Sequence, residues 1–158
     1  SKPGSRTIYL DYSANIFNDL DMALIQKYGT VPVLSPELNR AELSALKNKN
    51  FAVLVHGRPV LMNTKYPLKE PSLRDERGFV FPVRTEFKYT QILNSLPIGL
   101  FNEIQKLCTA GINKFFFDLT DGNAETILWL YKNILDGQPA KKSLRRNHTR
   151  GHFNRGVA

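Results

Sequence analysis

Three strand–helix steps in series, followed by a long stretch with no helical period, constrain this chain more than any other feature. Residues 7–13 are β-branched and aromatic and read as a strand. Asn15 and Asn18 mark a loop and a helix start, and residues 19–28 repeat apolar side chains at Leu20, Ala23, Leu24 and Tyr28 until Gly29 stops the helix. Residues 31–34 are a second strand. Ser35-Pro36-Glu37 then reads as an N-cap, a proline at the first helical position and an acid near the positive helix end, opening a helix to about residue 47. Residues 51–55 are continuously apolar, as in a parallel strand covered on both faces. Such a series predicts α/β architecture with right-handed crossovers.

Residues 57–95 break the pattern. A turn at Arg74-Asp75-Glu76-Arg77-Gly78 lies between apolar runs, which predicts a β-rich insertion of two or three antiparallel strands. A helix over 97–110, a strand over 114–118 and a helix over 123–135 follow, ended by Gly137 and Pro139. The chain therefore divides into βα units over 1–56, the insertion over 57–95, a final helix–strand–helix over 96–137 and a basic tail over 138–158. Four strands in βα steps suit half of a (β/α)8 barrel or a small open sheet. In both, function sits at the C-terminal strand ends. Those ends carry Asp11, Ser13 and Asn15; Ser35, Glu37 and Asn39; His56 and Arg58; and Asp118 and Thr120. Of these, His56 suits a general base or a hydrogen-bonded rim histidine, and Arg58 suits carboxylate or phosphate capture or a salt bridge to Glu37 or Asp118. Glu37 reads as a catalytic or helix-capping acid, and Asp118 as a strand-end catalytic acid.

At 158 residues and 42% apolar composition the chain forms one ordinary domain or part of a larger one. It starts Ser-Lys-Pro-Gly without Met and reads as a cut or processed product. No apolar run reaches bilayer length and no secretory leader is visible, so no membrane partner and a cytoplasmic location are expected. Cys108 is the only cysteine, which excludes an internal disulfide and a cysteine-only metal site; its apolar neighbours predict a buried thiol. The net charge of +8 sits mostly in the tail: residues 141–158 hold Lys141, Lys142, Arg145, Arg146, Arg150 and Arg155 and no acid. With His152 and Phe153 this segment suits an RNA backbone and a stacked base, or a strap that folds back with Phe153 buried. His148 and His152 stand four apart, but Gly151 between them argues against a helical metal pair, so no metal is expected. Nucleophile elbows, zinc-protease helices and phosphate-cradling glycine loops are missing from the sequence.

Six segments in series carry a family resemblance: Asp11-Tyr-Ser-Ala-Asn15-Ile-Phe-Asn18, Ser35-Pro-Glu-Leu-Asn39, His56-Gly-Arg-Pro-Val-Leu-Met62, Arg74 to Val83, Ile92-Leu-Asn-Ser95 and Thr149 to Val157. Together they span nearly the whole chain, and the chain resembles the C-terminal half of peptidase family U-32, the collagenase-like peptidases. The resemblance implies the back part of a TIM-type barrel, a β-rich insertion before the last strand, and a front half supplied by another chain or a homo-oligomer. It implies a peptide substrate or, as in relatives that hydroxylate RNA bases or a quinone precursor, an RNA or small cyclic one. Those relatives use a four-cysteine iron–sulfur cluster. Here Ala52 and Val60 stand where the family signature has glutamate and cysteine, and one cysteine cannot hold that cluster, so no cofactor is evident.

Overall fold

The computed structural model describes residues 6–139 and 147–155. Within them the chain is mixed α/β, with three sheets, none closed into a barrel. The sequence order is strand β1 (Ile8–Leu10), a 3-10 turn (Tyr12–Ala14), helix α1 (Asp19–Gln26), strand β2 (Thr30–Pro32), helix α2 (Arg40–Ala45) and strand β3 (Val53–Gly57). Strands β4 (Val60–Thr64), β5 (Ser72–Arg74), β6 (Val80–Glu86) and β7 (Tyr89–Leu93) follow, then β8 (Ile98–Gly99), helix α3 (Ile104–Thr109), strand β9 (Phe115–Phe117) and helix α4 (Ala124–Leu135).

The βα steps form a parallel arc in chain order. β1 pairs in parallel with β2, the end of β2 bridges Ala52 in parallel through Val33, and β3 pairs in parallel with β9. Asn18 caps α1 by accepting from the Leu20 and Asp21 amides, and Asn123 caps α4 by accepting from Thr126. Each satisfies donors that the helix leaves unpaired. β3 is buried along its whole length. Around it pack Met22 of α1, Leu43 of α2, Ile104 and Leu107 of α3, and Tyr131 and Ile134 of α4, all buried. The Tyr131 hydroxyl donates to the Val55 carbonyl at 2.6 Å and so fastens α4 to β3. Burial holds the Tyr131 phenol well above its ordinary range and therefore neutral.

Residues 57–95 contain no helix and fold into one antiparallel sheet in the order β4-β7-β6-β5, one strand more than the sequence suggests. Three expectations are corrected. Helix α2 starts at Arg40, not after Ser35, because Asn39 and Glu42 form a reciprocal capping box: the Glu42 amide donates to Asn39 and the Asn39 amide to Glu42. Ser35 and Leu38 instead close a turn (3.2 Å), so Glu37 lies outside the helix. Residues 98–99 form a strand, antiparallel to the end of β3, and the helix is confined to 104–109. Cys108 is exposed, because Ile104 and Leu107 define the buried side of that short helix and the next residue turns outward.

Residues 147–155 fold back on the domain. Thr149 bridges Ile98 in parallel, the Gly99 amide donates to the Thr149 carbonyl (2.9 Å) and the Thr149 amide to that of Pro97 (2.9 Å). Phe153, 3% exposed, enters the core, and its carbonyl accepts from the Arg40 amide. Arg150 lies 3.7 Å from buried Glu103, which also pairs with Lys106. Lys141, Lys142, Arg145 and Arg146 lie outside the described residues.

Candidate functional site

A cleft of about 630 Å³ opens where the chain leaves β1, β2 and β9. Its floor follows from topology: parallel neighbours present their C-terminal ends on one side, so the residues just after each strand meet there. Asp11, Tyr12, Ser13 and Asn15 come from the loop after β1, Ser35, Pro36 and Glu37 from that after β2, and Phe116 and Asp118 from β9 and its end. The insertion provides the roof through Val60 and Asn63 of β4, Arg84 and Glu86 of β6 and Gln91 of β7.

Local chemistry fixes several of these groups. Asp11 accepts from the Ser13 amide (2.9 Å) and so shapes the 3-10 turn, which Asn15 ends in the left-handed region at φ 58°. Asp118 accepts from the Thr120 amide (3.1 Å) and hydroxyl. The roof is a polar ladder set by strand register: Gln91 stands opposite both Asn63 and Arg84. The Arg84 guanidinium donates to Gln91 Oε1 (2.9 and 3.2 Å), and Gln91 Nε2 donates to Asn63 (3.2 Å). Tyr12 links floor to roof, packing edge-on against Phe116 (6.4 Å) and hydrogen-bonding the Val60 backbone. Burial chiefly raises its phenol above the ordinary value, with Asp11 and Asp118 adding to this, so Tyr12 stays protonated and able to donate.

Four carboxylates, Asp11, Glu37, Glu86 and Asp118, line the cleft against one cation, Arg84, in a chain whose net charge is +8. The cleft thus opposes the sign of the chain as a whole and favours a ligand carrying positive charge.

The sequence-derived candidates divide. Asp118 and Glu37 reach the cleft together with Asp11, Ser13, Asn15 and Ser35; Asn39 caps α2 instead. His56 lies behind the cleft wall, 3% exposed, because β8 and the tail cover the end of β3. Its ring sits among Phe101 and Tyr131 (5.8 Å each) and His148 (5.3 Å). Its Nδ1 is buried with no hydrogen-bond partner among the described residues. Arg58 does not line the cleft either. Its Nε donates to Asp121 (2.8 Å) and its Nη1 to the Asn94 and Ser95 carbonyls (2.6 Å each), which ties the insertion to the loop after β9. Its acid partner is Asp121, in place of the Glu37 or Asp118 expected. Phe153 is a core side chain and is not presented for base stacking; Arg150, His152 and Arg155 stay exposed. Arg84, Glu86, Gln91, Asn63 and Tyr12 escaped the sequence reading. The signal for two of them was the alternation along β6, where Arg84 and Glu86 share one face.

Desolvation first, and the charge interaction with the neighbouring His148 ring second, push His56 down to about 4, while Asp118 pulls the other way. The folded chain therefore binds fewer protons than the unfolded one between pH 6.5 and 4. This contribution to stability is complete above about pH 6.5 and fades as pH falls through that window, by about 3 kcal/mol at pH 4. Urea unfolding at pH 7 and pH 4 checks it: His56→Phe should show a pH dependence smaller by that amount, and an unchanged dependence would contradict a neutral buried imidazole.

The four-cysteine iron–sulfur cluster that the U-32 resemblance suggests does not fit these residues. It needs four thiolates, and the one thiol, Cys108, lies on the surface of α3 and lines no part of the cleft. Among the described residues, no group of three or more His, Cys, Asp or Glu side chains is placed to hold a metal ion. No described helix is long and apolar enough to cross a membrane. No family model, curated protein or solved structure matches the chain.

Proposed function

We propose that this chain is part of a (β/α)-barrel enzyme of the collagenase-like, U-32 type, and that its cleft holds and hydrolyses a peptide near a positively charged residue. The observation that carries the reading is the meeting of Asp11, Glu37 and Asp118 at the ends of parallel strands, under a roof bearing Arg84. A barrel is built from parallel neighbours in chain order, which is the order β1, β2, β3, β9. Among the described residues β1 pairs only with β2 and β9 only with β3, so the arc has two open edges. Large apolar side chains stand exposed on β1, where Tyr9 is 51% exposed, and on α4, the helix that follows β9, where Trp129 is 64% exposed. Completion by further strands, from another chain or a second copy, would cover them.

In this reading a cleft carboxylate, Asp118 or Asp11, takes a proton from water as the water oxygen bonds to the peptide carbonyl carbon. Arg84 and the protonated Tyr12 hydroxyl face the oxyanion that forms. The carbon–nitrogen bond then breaks, and the proton passes to the leaving amine. Glu37 and Glu86 favour a basic side chain on the substrate. Mass spectrometry of lysine-containing peptides and denatured collagen incubated with the protein tests this. Asp118→Asn should slow cleavage at least about a hundredfold, the usual scale of general acid–base catalysis, with unfolding little changed. Equal cleavage by the variant would remove Asp118 from the chemistry, and intact peptides after incubation with the unaltered protein would sink the hydrolytic reading.

The RNA reading has less support. Its tail-binding form used Phe153 as a stacking platform, and that ring is in the core.

A further inference from the structure

The cleft does not end at Glu37. Pro36, Glu37 and Val60 line it and also line a second cavity of about 200 Å³. The far side of that cavity is apolar, formed by Pro59, Leu61 and Ile98, with Asn94 and the tail residues Gly151 and His152 beside them. Two parts of the chain far apart in sequence therefore build it, the insertion and the folded-back tail. The tail is held in place independently of any ligand, by the Thr149 bridge to Ile98 and by buried Phe153. Gly151, at φ 54°, runs close over Ile98: a Cβ built there would lie 3.4 Å from the Ile98 Cδ1 methyl group. The backbone of the tail is thus itself a wall, packed near the apolar floor.

We propose that this second cavity is a specificity subsite for one large apolar side chain of a peptide whose neighbouring basic residue lies in the main cleft. The inference rests on the peptide reading above and adds the sequence preference. The shared wall makes the two spaces adjacent, so a ligand filling both passes over Glu37. The chemistry on the two sides differs: carboxylates dominate the first, whereas Pro59, Leu61 and Ile98 dominate the second. At about 200 Å³ the cavity is of the size of one leucine or phenylalanine side chain. The side-chain amide of Asn94 offers a polar edge at which a peptide backbone carbonyl can bond.

Fluorescence anisotropy with two labelled peptides, identical except for Lys-Leu or Lys-Gly at the centre, tests the subsite. Leu61 is 55% exposed on β4, so Leu61→Asp alters the cavity without emptying the core. The unaltered protein should bind the Lys-Leu peptide about tenfold more tightly, as expected for burying a leucine side chain. Leu61→Asp should erase that preference, and any tightening brought by its added charge should be shared by both lysine peptides. Equal binding of the two peptides, weakened by Asp118→Asn, would overturn the subsite and keep the peptide reading. A preference for Lys-Leu that survives Leu61→Asp would also overturn it. Failure of both peptides to bind would overturn the peptide reading and the subsite together.

Discussion

Gly57→Ala is expected to remove more than about 4 kcal/mol of stability, a large share of the roughly 5–15 kcal/mol that holds a typical domain folded at 25 °C. Two causes add. Gly57 has φ 134°, a region that side-chain-bearing residues rarely enter. A Cβ there would also overlap the Asp118 Cβ and lie 2.9 Å from the Asp118 carbonyl oxygen and 3.1 Å from its Cα. The obstacle is mostly backbone, and the Asp118 amide is already held by the His56 carbonyl at 2.9 Å, so the two segments cannot part cheaply. This close approach fixes the backbone of a cleft acid relative to β3. Thermal or urea unfolding checks the prediction. A loss below about 1 kcal/mol would mean that the ends of β3 and β9 are not locked together.

Phe153→Ala should cost about 3–5 kcal/mol, the range for emptying an aromatic site in a close-packed core. The ring is 3% exposed among core residues, so the gap cannot fill with water favourably. The substitution also loosens the strap that walls the second cavity. Limited trypsin digestion should therefore cut after Arg150 and Arg155 faster than in the unaltered protein, while the site at Lys132 in α4 keeps its rate. A loss under about 1 kcal/mol with unchanged digestion would show that the tail docks by its backbone bonds alone.

The sequence made the parallel arc legible where local and tertiary signals agree. Asn18 and Asn123 announce α1 and α4 by capping them, and the unbroken apolar run of β3 announces burial on both faces. Errors arose where a stronger signal competed. Ser35-Pro36 looks like a helix start, but the reciprocal bonding of Asn39 and Glu42 wins, and Glu37 is left free to face the cleft. Ile98 and Gly99 sit in an apolar run that suits a helix until the open edge of β3 recruits them as a strand. That same recruitment buries His56, which a reading of strand ends alone had placed at the mouth.

About half of the cleft follows from chain order, since Asp11, Ser13, Asn15, Ser35, Glu37 and Asp118 all come from strand ends. The other half does not, because Asn63, Gln91 and Arg84 become a ladder only through the pairing register of three strands. A one-residue slip of any one of these strands would turn its residue away from the cleft.

Amide chemical-shift mapping during titration with a Gly-Lys-Leu-Gly peptide tests the central claim most directly. A functional cleft predicts shifts at residues 11–15, 35–37, 84–86 and 118, from the loops and the insertion alike. Movement confined to the tail, with those amides unchanged at saturation, would contradict it.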